Sequence, residues 1–307
     1  MKAVIATAAV LTALAAPAAA QDVEIRDAVA RVVVIPENRA DIAVEVIPGR
    51  GLPPLKVTRR GNDVLIDGEL HENRRNQSWS CSGGGGYWSP AETPPGDMTV
   101  RVRGRDPIRV ADAPLVTIRT PMEVDVSVGG AVWGAVGRTG SVSFENMGCG
   151  NWTFANVTGE LETSTKGSGD IRAGTSGSLE VSLMGSGEVQ AGATGEAETS
   201  IMGSGNIRLA AARDLEANIM GSGDITVGRV EGPVDANIPG SGNIVVEGGR
   251  TPSLNANIMG SGDIVFRGQA GNVSANIMGS GDVRVDSASG SVNQRHMGSG
   301  RVRVGSR

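Results

Sequence analysis

The chain has 307 residues, with 28 Lys and Arg against 33 Asp and Glu, for a formal net charge of −5. That balance provides no basic stripe to neutralise phosphates, so nucleic acid is not an expected partner. Glycine is frequent, at 46 residues, while aromatics make up 3% and there are only two cysteines and two histidines. Such a chain has many corners and little bulk to fill one thick core.

Met1 to Ala20 carries Lys2, an apolar Ala/Val/Leu run and Ala18-Ala19-Ala20 before Gln21. This is the pattern of a secretory signal peptide, cleaved after about Ala20. No later run is long and apolar enough for a membrane-spanning helix. The expectation is an exported product, periplasmic or extracellular, with no transmembrane segment in the mature chain and residues 21–307 forming one continuous domain.

Residues 21–140 read as divergent β coils. Short strands are expected at Ala30–Ile35, Asp41–Ile47, Leu55–Thr58 and Asp63–Ile66, separated by Gly and Pro turns. A separate small β-sandwich is the alternative for this part. Residues 71–97 break the rhythm with His71, Trp79, Cys81, four consecutive glycines, Tyr87 and Trp88. So long a polar, Gly-rich insertion between strand patterns predicts a surface loop. Strand patterns resume at Met98–Val102, Ile108–Val110, Leu115–Ile118 and Val124–Val128.

Residues 141–307 are organised by a repeat. Gly-Ser-Gly begins at Gly167, Gly185, Gly203, Gly221, Gly240, Gly260, Gly279 and Gly298, 18 to 20 residues apart, and a ninth copy reads Gly148-Cys149-Gly150. Counted from the first glycine, apolar residues recur at offsets −6, −2, +4 and +6, as in Leu254, Ile258, Ile264 and Phe266. All these offsets are even, which is the two-residue period of a strand. Glycine at offsets 0 and +2 allows a tight corner or a positive φ. One coil of two short strands cannot bury its own face, so the coils must stack. This predicts an all-β, right-handed parallel β-helix with 18–20-residue coils. A left-handed hexapeptide helix fails because offset +10 holds Gly177, Gly195, Arg213, Glu231 and Arg250 instead of aliphatic residues.

The N-terminal strands, the approach through Gly140-Ser141-Val142-Ser143-Phe144, and the ladder of Gly-Ser-Gly-Asp-Ile together resemble the GIN domain family, DUF2807, described as an auto-transporter adhesin head. The resemblance implies a β-helix on an exported bacterial protein with an adhesin-like role. It brings no catalytic residues, and no membrane barrel is expected after Val304.

The odd offsets hold the side chains that could carry chemistry. Offset +3 runs Asp170, Glu188, Asn206, Asp224, Asn243, Asp263, Asp282 and Arg301. Asp and Asn beside glycine are turn residues, so a solvent-facing turn ladder is expected in preference to a calcium site. His71 and His296 lack Cys or His partners at ligand spacing, and the repeated serines have no neighbouring base, so no metal, cofactor or catalytic residue is assigned. Asn218, Asn237, Asn257 and Asn276 at −3 predict an amide ladder. Offset −1 is a methionine row: Met147, Met184, Met202, Met220, Met259, Met278 and Met297, interrupted by Lys166 and Pro239. The expectation is that the corner turns these side chains into the core or packs them as a partly covered ladder. Exposed thioethers would instead suit Cu(I) or a partner surface.

Cys81 and Cys149 are an even pair in an exported chain, which predicts a disulfide. It would tether Trp79, Tyr87 and Trp88 as a ligand platform on the flank. The reading is a non-enzymatic solenoid that binds an envelope or surface glycan or protein. A carbohydrate-active enzyme and a self-associating envelope scaffold are its rivals. The last copy, with Arg295, His296 and Arg301, is expected to cap the C-terminal end.

Overall fold

The computed structural model describes residues 21–70, 79–82, 98–102 and 105–305. The predicted signal peptide, His71, Tyr87 and Trp88 lie outside these residues. The fold is a β-solenoid: 64% of it is strand, in parallel coils of about 19 residues stacked for about ten turns.

In the repeat, like residues stack on like. Leu179, Ala197, Leu215, Val234, Leu254 and Val273 form one in-register column. Ile207, Ile225, Ile244, Ile264 and Val283 form a second. Both columns are buried, and Ile258 and Ile264 are 0% and 2% exposed. Each such side chain contributes roughly 1.5–3 kcal/mol on burial, and no coil keeps that gain without its neighbours.

Most corner glycines serve close approach; only Gly150 and Gly298 among them have positive φ, of 130° and 144°. A Cβ on Gly221 would lie 1.9 Å from the Gly203 carbonyl oxygen, and one on Gly223 would lie 1.7 Å from that of Gly205. Neither residue has positive φ. The coils touch backbone to backbone here, so any side chain would push them apart.

The two short strands expected in each coil are not separated everywhere at their far end. Glu188–Ile201, Asn206–Ile219 and Ile264–Ile277 each form one continuous 14-residue strand. Parallel pairing runs on through the bend, as at Ala193↔Ala211 and Thr194↔Ala212.

The N-terminal part is wired differently. The strands are β1 (Gln21–Pro36), β2 (Ala43–Ile47), β3 (Lys56–Arg60), β4 (Asp63–Asp67), β5 (Trp79–Ser82), β6 (Thr99–Val102), β7 (Ile108–Arg109), β8 (Leu115–Thr120) and β9 (Glu123–Val136). The first strand lies parallel between later ones: β4 and β8 flank it on one side and β9 on the other. A bulge near Asp27, with φ of 48°, lets β1 turn the corner that Gly130, with φ of 113°, provides in β9. The outer strands then receive antiparallel partners, β2 on β8 and β3 on β4. β10 (Ser141–Asn146) and β11 (Trp152–Phe154) start the regular stack on β9. Phe144, Trp152 and Phe154 pack as a ring cluster inside this coil, with Phe144 and Trp152 centroids 4.7 Å apart. The Trp152 indole N–H donates to the Val132 carbonyl oxygen at 2.9 Å.

Part of the loop expected at 71–97 is a strand. β5 pairs antiparallel with β6, and β6 with β7, as a separate three-stranded sheet. Val100, Val102, Ile108 and Val110 from this sheet and the turn after it pack on Val29, Ala131, Trp133 and Cys149 of the solenoid flank. At the opposite end Val292–His296 pairs with Val273–Ile277 and is exposed along its whole length.

Candidate functional site

The polar columns are bound up in holding the coils together. At offset +3, each Asx side chain accepts the backbone N–H of its counterpart in the next coil. Asn151 Oδ1 receives Asp170 at 3.0 Å, Asp170 Oδ1 receives Glu188 at 2.9 Å, and Asn206 Oδ1 receives Asp224 at 3.0 Å. Asp224, Asn243, Asp263 and Asp282 continue the series to Arg301 at 2.8–3.0 Å. The turn ladder expected from sequence is thus also an inter-coil hydrogen-bond ladder. Glu188, one methylene longer, does not serve: the Asn206 N–H goes to the Gly187 carbonyl oxygen at 3.3 Å. Glu188 pairs with Arg208, whose hydrogen bond is the main reason its carboxyl lies below the usual range. Arg284 bridges Asp263 and Asp282 at 2.9 and 2.8 Å. Burial works to raise the Asp282 carboxyl, but the Arg301 backbone N–H and the Arg303 and Arg284 charges leave it lowered. The amide ladder is present where Asn237 donates to Asn218 at 3.0 Å and Asn257 to Asn237 at 2.8 Å.

One column escaped the sequence reading. At offset −5, Asp22, Asp125, Ser143, Glu162, Glu180, Glu198, Glu216 and Asp235 lie in register on one sheet face. Like charges directly opposite destabilise a sheet. Asp125 is pushed up by burial and then by Asp22 and Glu162. Glu180 is pushed up by burial and then by Glu162, Glu198 and Glu160. The odd offset and the run of Glu at 18-residue steps were the available signal.

Of the two placements expected for the methionine row, the core is not the one the structure adopts. Met202, Met220, Met259, Met278 and Met297 are 44, 55, 56, 43 and 71% exposed. Odd parity prevails at the corner: the backbone continues its alternation through −2 and −1, so the isoleucine enters the core and the methionine leaves it.

On the N-terminal flank the outward columns change character. The serine slot is continued by Cys149 and Ala131, and the Asx slot by Trp133. These residues are 8, 0 and 3% exposed because β5, β6 and β7 cover them. Cys81 of β5 is bonded to Cys149, with Cα atoms 6.1 Å apart. Apolar residues at both parities in Gly129-Gly130-Ala131-Val132-Trp133 were the sign of a strand covered on both faces. Of the predicted platform, Trp79 lies in β5, two residues from the disulfide, while Tyr87 and Trp88 fall outside the described residues.

Beside this sheet lies an open groove of about 870 Å³, lined by Arg50, Gly51, Arg105, Asp106, Pro107, Ile108, Arg109 and Asp112. Arg109 Nε donates to Asp112 Oδ2 at 2.6 Å, and the Arg50 N–H donates to the Asp112 carbonyl oxygen at 2.8 Å. The turn at Val110–Asp112 therefore fixes both walls. Sequence reading missed this site because Arg50 and Arg105 meet only through the fold. Among the described residues no group of three or more His, Cys, Asp or Glu is placed to hold a metal ion. No helix among them is long and apolar enough to cross a membrane.

No curated relative matches the chain. The sequence model of one family, described as "Putative auto-transporter adhesin, head GIN domain", matches residues 115–248 and 211–307, from β8 to the end of the repeat. The N-terminal strands that sequence reading included in the resemblance lie before the match. More than half of the chain is covered, and the chain belongs to the DUF2807 GIN domain family.

Proposed function

We propose that the protein is an exported, non-enzymatic, adhesin-like domain that binds an acidic glycan of the cell envelope or surface in the groove beside the tethered sheet. The observation that carries this reading is the juxtaposition of Arg50, Arg105 and Arg109 in one groove with a sheet bonded to the solenoid through Cys81–Cys149. Guanidinium forks match carboxylate and phosphate groups in two-point contacts. Aromatic faces suit sugar rings, and Trp79, Tyr87 and Trp88 lie close to Cys81 in the sequence. Export is supported by the disulfide and by the signal-peptide pattern of Met1–Ala20. The non-enzymatic reading draws support from the Asx column, whose carboxylates and amides are engaged in joining coils, and from the family description.

The test is capture of the purified chain on immobilised uronate-rich polysaccharide and lipopolysaccharide, with neutral dextran as control. Arg50→Ala with Arg105→Ala should lower capture at least tenfold, and so should Trp79→Ala with Trp88→Ala, both with an unchanged circular dichroism spectrum. Capture by the folded arginine variant equal to that of the parent would refute the groove. Release of reducing ends from the same polymers would refute the non-enzymatic reading.

A further inference from the structure

We propose that the exposed methionine ridge is a binding site for a soft monovalent metal ion, Cu(I), one ion in each of two thioether triads. The first triad is half-buried Met184 with the exposed Met202 and Met220; the second is Met259, Met278 and Met297, all exposed. This goes beyond the glycan reading and lies on a different part of the molecule.

The rungs are in register by hydrogen bonding and not by sequence spacing alone. The Met202 N–H donates to the Leu183 carbonyl oxygen at 2.9 Å and that of Met220 to Ile201 at 2.8 Å. In the second triad the Met259, Met278 and Met297 N–H groups donate to Ile238, Ile258 and Ile277 at 2.9, 2.8 and 2.7 Å. Consecutive methionines therefore stand one strand spacing apart, about 4.8 Å. A sulfur–metal bond of about 2.3 Å, the length thiolate sulfur makes to zinc, reaches nearly half that distance. Two neighbouring sulfurs can bracket an ion between them, and the third, on an unbranched side chain with three rotatable bonds, can lean in to complete the shell.

The fold does not ask for methionine at this position. Lys166 occupies the same slot, reaches Glu145, and keeps the ladder hydrogen bond from its N–H to the Asn146 carbonyl oxygen at 2.8 Å. Pro239 occupies it as well. The residues one step earlier, which are buried, are Leu and Ile and never Met between Leu183 and Ile277. The chain thus places Leu and Ile inside and Met outside. What Met offers that Leu does not is a polarisable sulfur donor and a flexible arm. Thioethers select Cu(I) over harder divalent ions and carry no proton to displace. Met147 is cut off from the first triad by the Lys166 ammonium, so it is not part of either site.

The experiment is a titration of the purified chain, disulfide formed, with Ag(I) as closed-shell stand-in and with Cu(I) against a competing chelator. Methyl-¹³C methionine spectra give the readout. The six triad methyls should shift together and saturate at two ions per chain, while Met98 and Met122 stay in place. Affinity should hold within twofold from pH 5 to pH 8. Met202→Leu with Met278→Leu keeps an apolar side chain of similar size and should weaken binding at least tenfold with the fold unchanged. Met147→Leu should leave it within twofold. The proposal is overturned if the double variant binds as the parent does. It is equally overturned if the triad methyls stay unshifted at saturating Ag(I), or if binding weakens as imidazole protonates and is lost in His296→Gln.

Discussion

The regular coils and the N-terminal end use the same strand geometry but obtain their order in different ways. From β10 onward each coil pairs with the coil made just before it, about 19 residues away. At the N-terminal end β1 waits for partners from residues 64–67, 115–120 and 124–136. The first region is close to a one-dimensional stack in which stability is a sum of neighbour contacts. The second is a non-local assembly that closes only when β8 and β9 are in place. The antiparallel β2 and β3 block the outer edge there, whereas Val292–His296 leaves the other end exposed.

The largest expected effect lies in the stack. Ile258→Asp would bury an unpaired carboxylate at a position 0% exposed, a cost of several kcal/mol. Ser261→Asp, three residues on and exposed, should change stability by less than about 0.5 kcal/mol. Urea unfolding of the two variants settles the parity. A stable Ile258→Asp protein would mean that the coils do not share one core.

The disulfide should sharpen the contrast between the regions. Its sequence separation is 68 residues, and a closed loop of that length stabilises by roughly 4 kcal/mol in the chain-entropy model. Cys81→Ser with Cys149→Ser should loosen the flank and leave the repeat intact. Hydrogen exchange should rise in residues 98–113 and stay unchanged in residues 206–285. Uniform loss of protection would show that the two regions unfold as one. Intact mass after alkylation, with and without reductant, checks the bond itself.

These two tests mark what was legible in the sequence. The repeat was open to reading because Ile, Gly and Asx recur with fixed parity, and one coil specifies the next. The placement of β1 was not, because Val32-Val33-Val34-Ile35 fits any parallel neighbour and nothing local selects β8 and β9 over others. The groove escaped for the same reason, since Arg50 and Arg105 are brought together by contacts distant in sequence. Cys149 stands in the serine position of its copy, at an odd offset that points outward, yet it is covered by a sheet that the Gly-rich segment concealed. The methionines were open to two placements, core or partly covered ladder, and their odd offset, which points away from the core, was a better guide than the readiness of Met to fill gaps.

A smaller effect is expected in the Asx ladder. Asp263→Ala removes the acceptor for the Asp282 N–H and one arm of Arg284, at a cost of about 1–2 kcal/mol. Asp263→Asn keeps Oδ1 and should cost less than half of that. Glu188→Asp is the converse, because a shorter side chain can reach the Asn206 N–H that now goes to Gly187, with an expected gain of about 0.5–1 kcal/mol. Thermal unfolding of the three variants decides it, and equal midpoints for Asp263→Ala and the parent would reduce the ladder to a by-product of the turn.

The smallest effect belongs to the carboxylate column, which runs from the N-terminal strand β1 into the repeat and joins the two regions. Burial, with neighbouring carboxylates, raises Asp125 and Glu180 above their ordinary values in the folded chain. A carboxyl so raised contributes stability that is full below its unfolded pKa and is lost as pH rises through its folded pKa. Glu188 and Asp282 are lowered, so their contribution is lost only as pH falls through folded values below the usual carboxylate range. As pH falls through the raised folded values of Asp125 and Glu180, stability should therefore increase, before declining in stronger acid as Glu188 and Asp282 protonate. Glu180→Gln removes a charge with opposed carboxylates on both sides and should raise stability at pH 7 by a few tenths of a kcal/mol. It should also flatten the rise on mild acidification. The matching change at Glu216, which faces Glu198 and Asp235, should act in the same direction. A stability profile that falls steadily from neutral pH into acid, with Glu180→Gln no different from the parent, would mean that solvent screens the column completely and that it places no strain on the junction between the two regions.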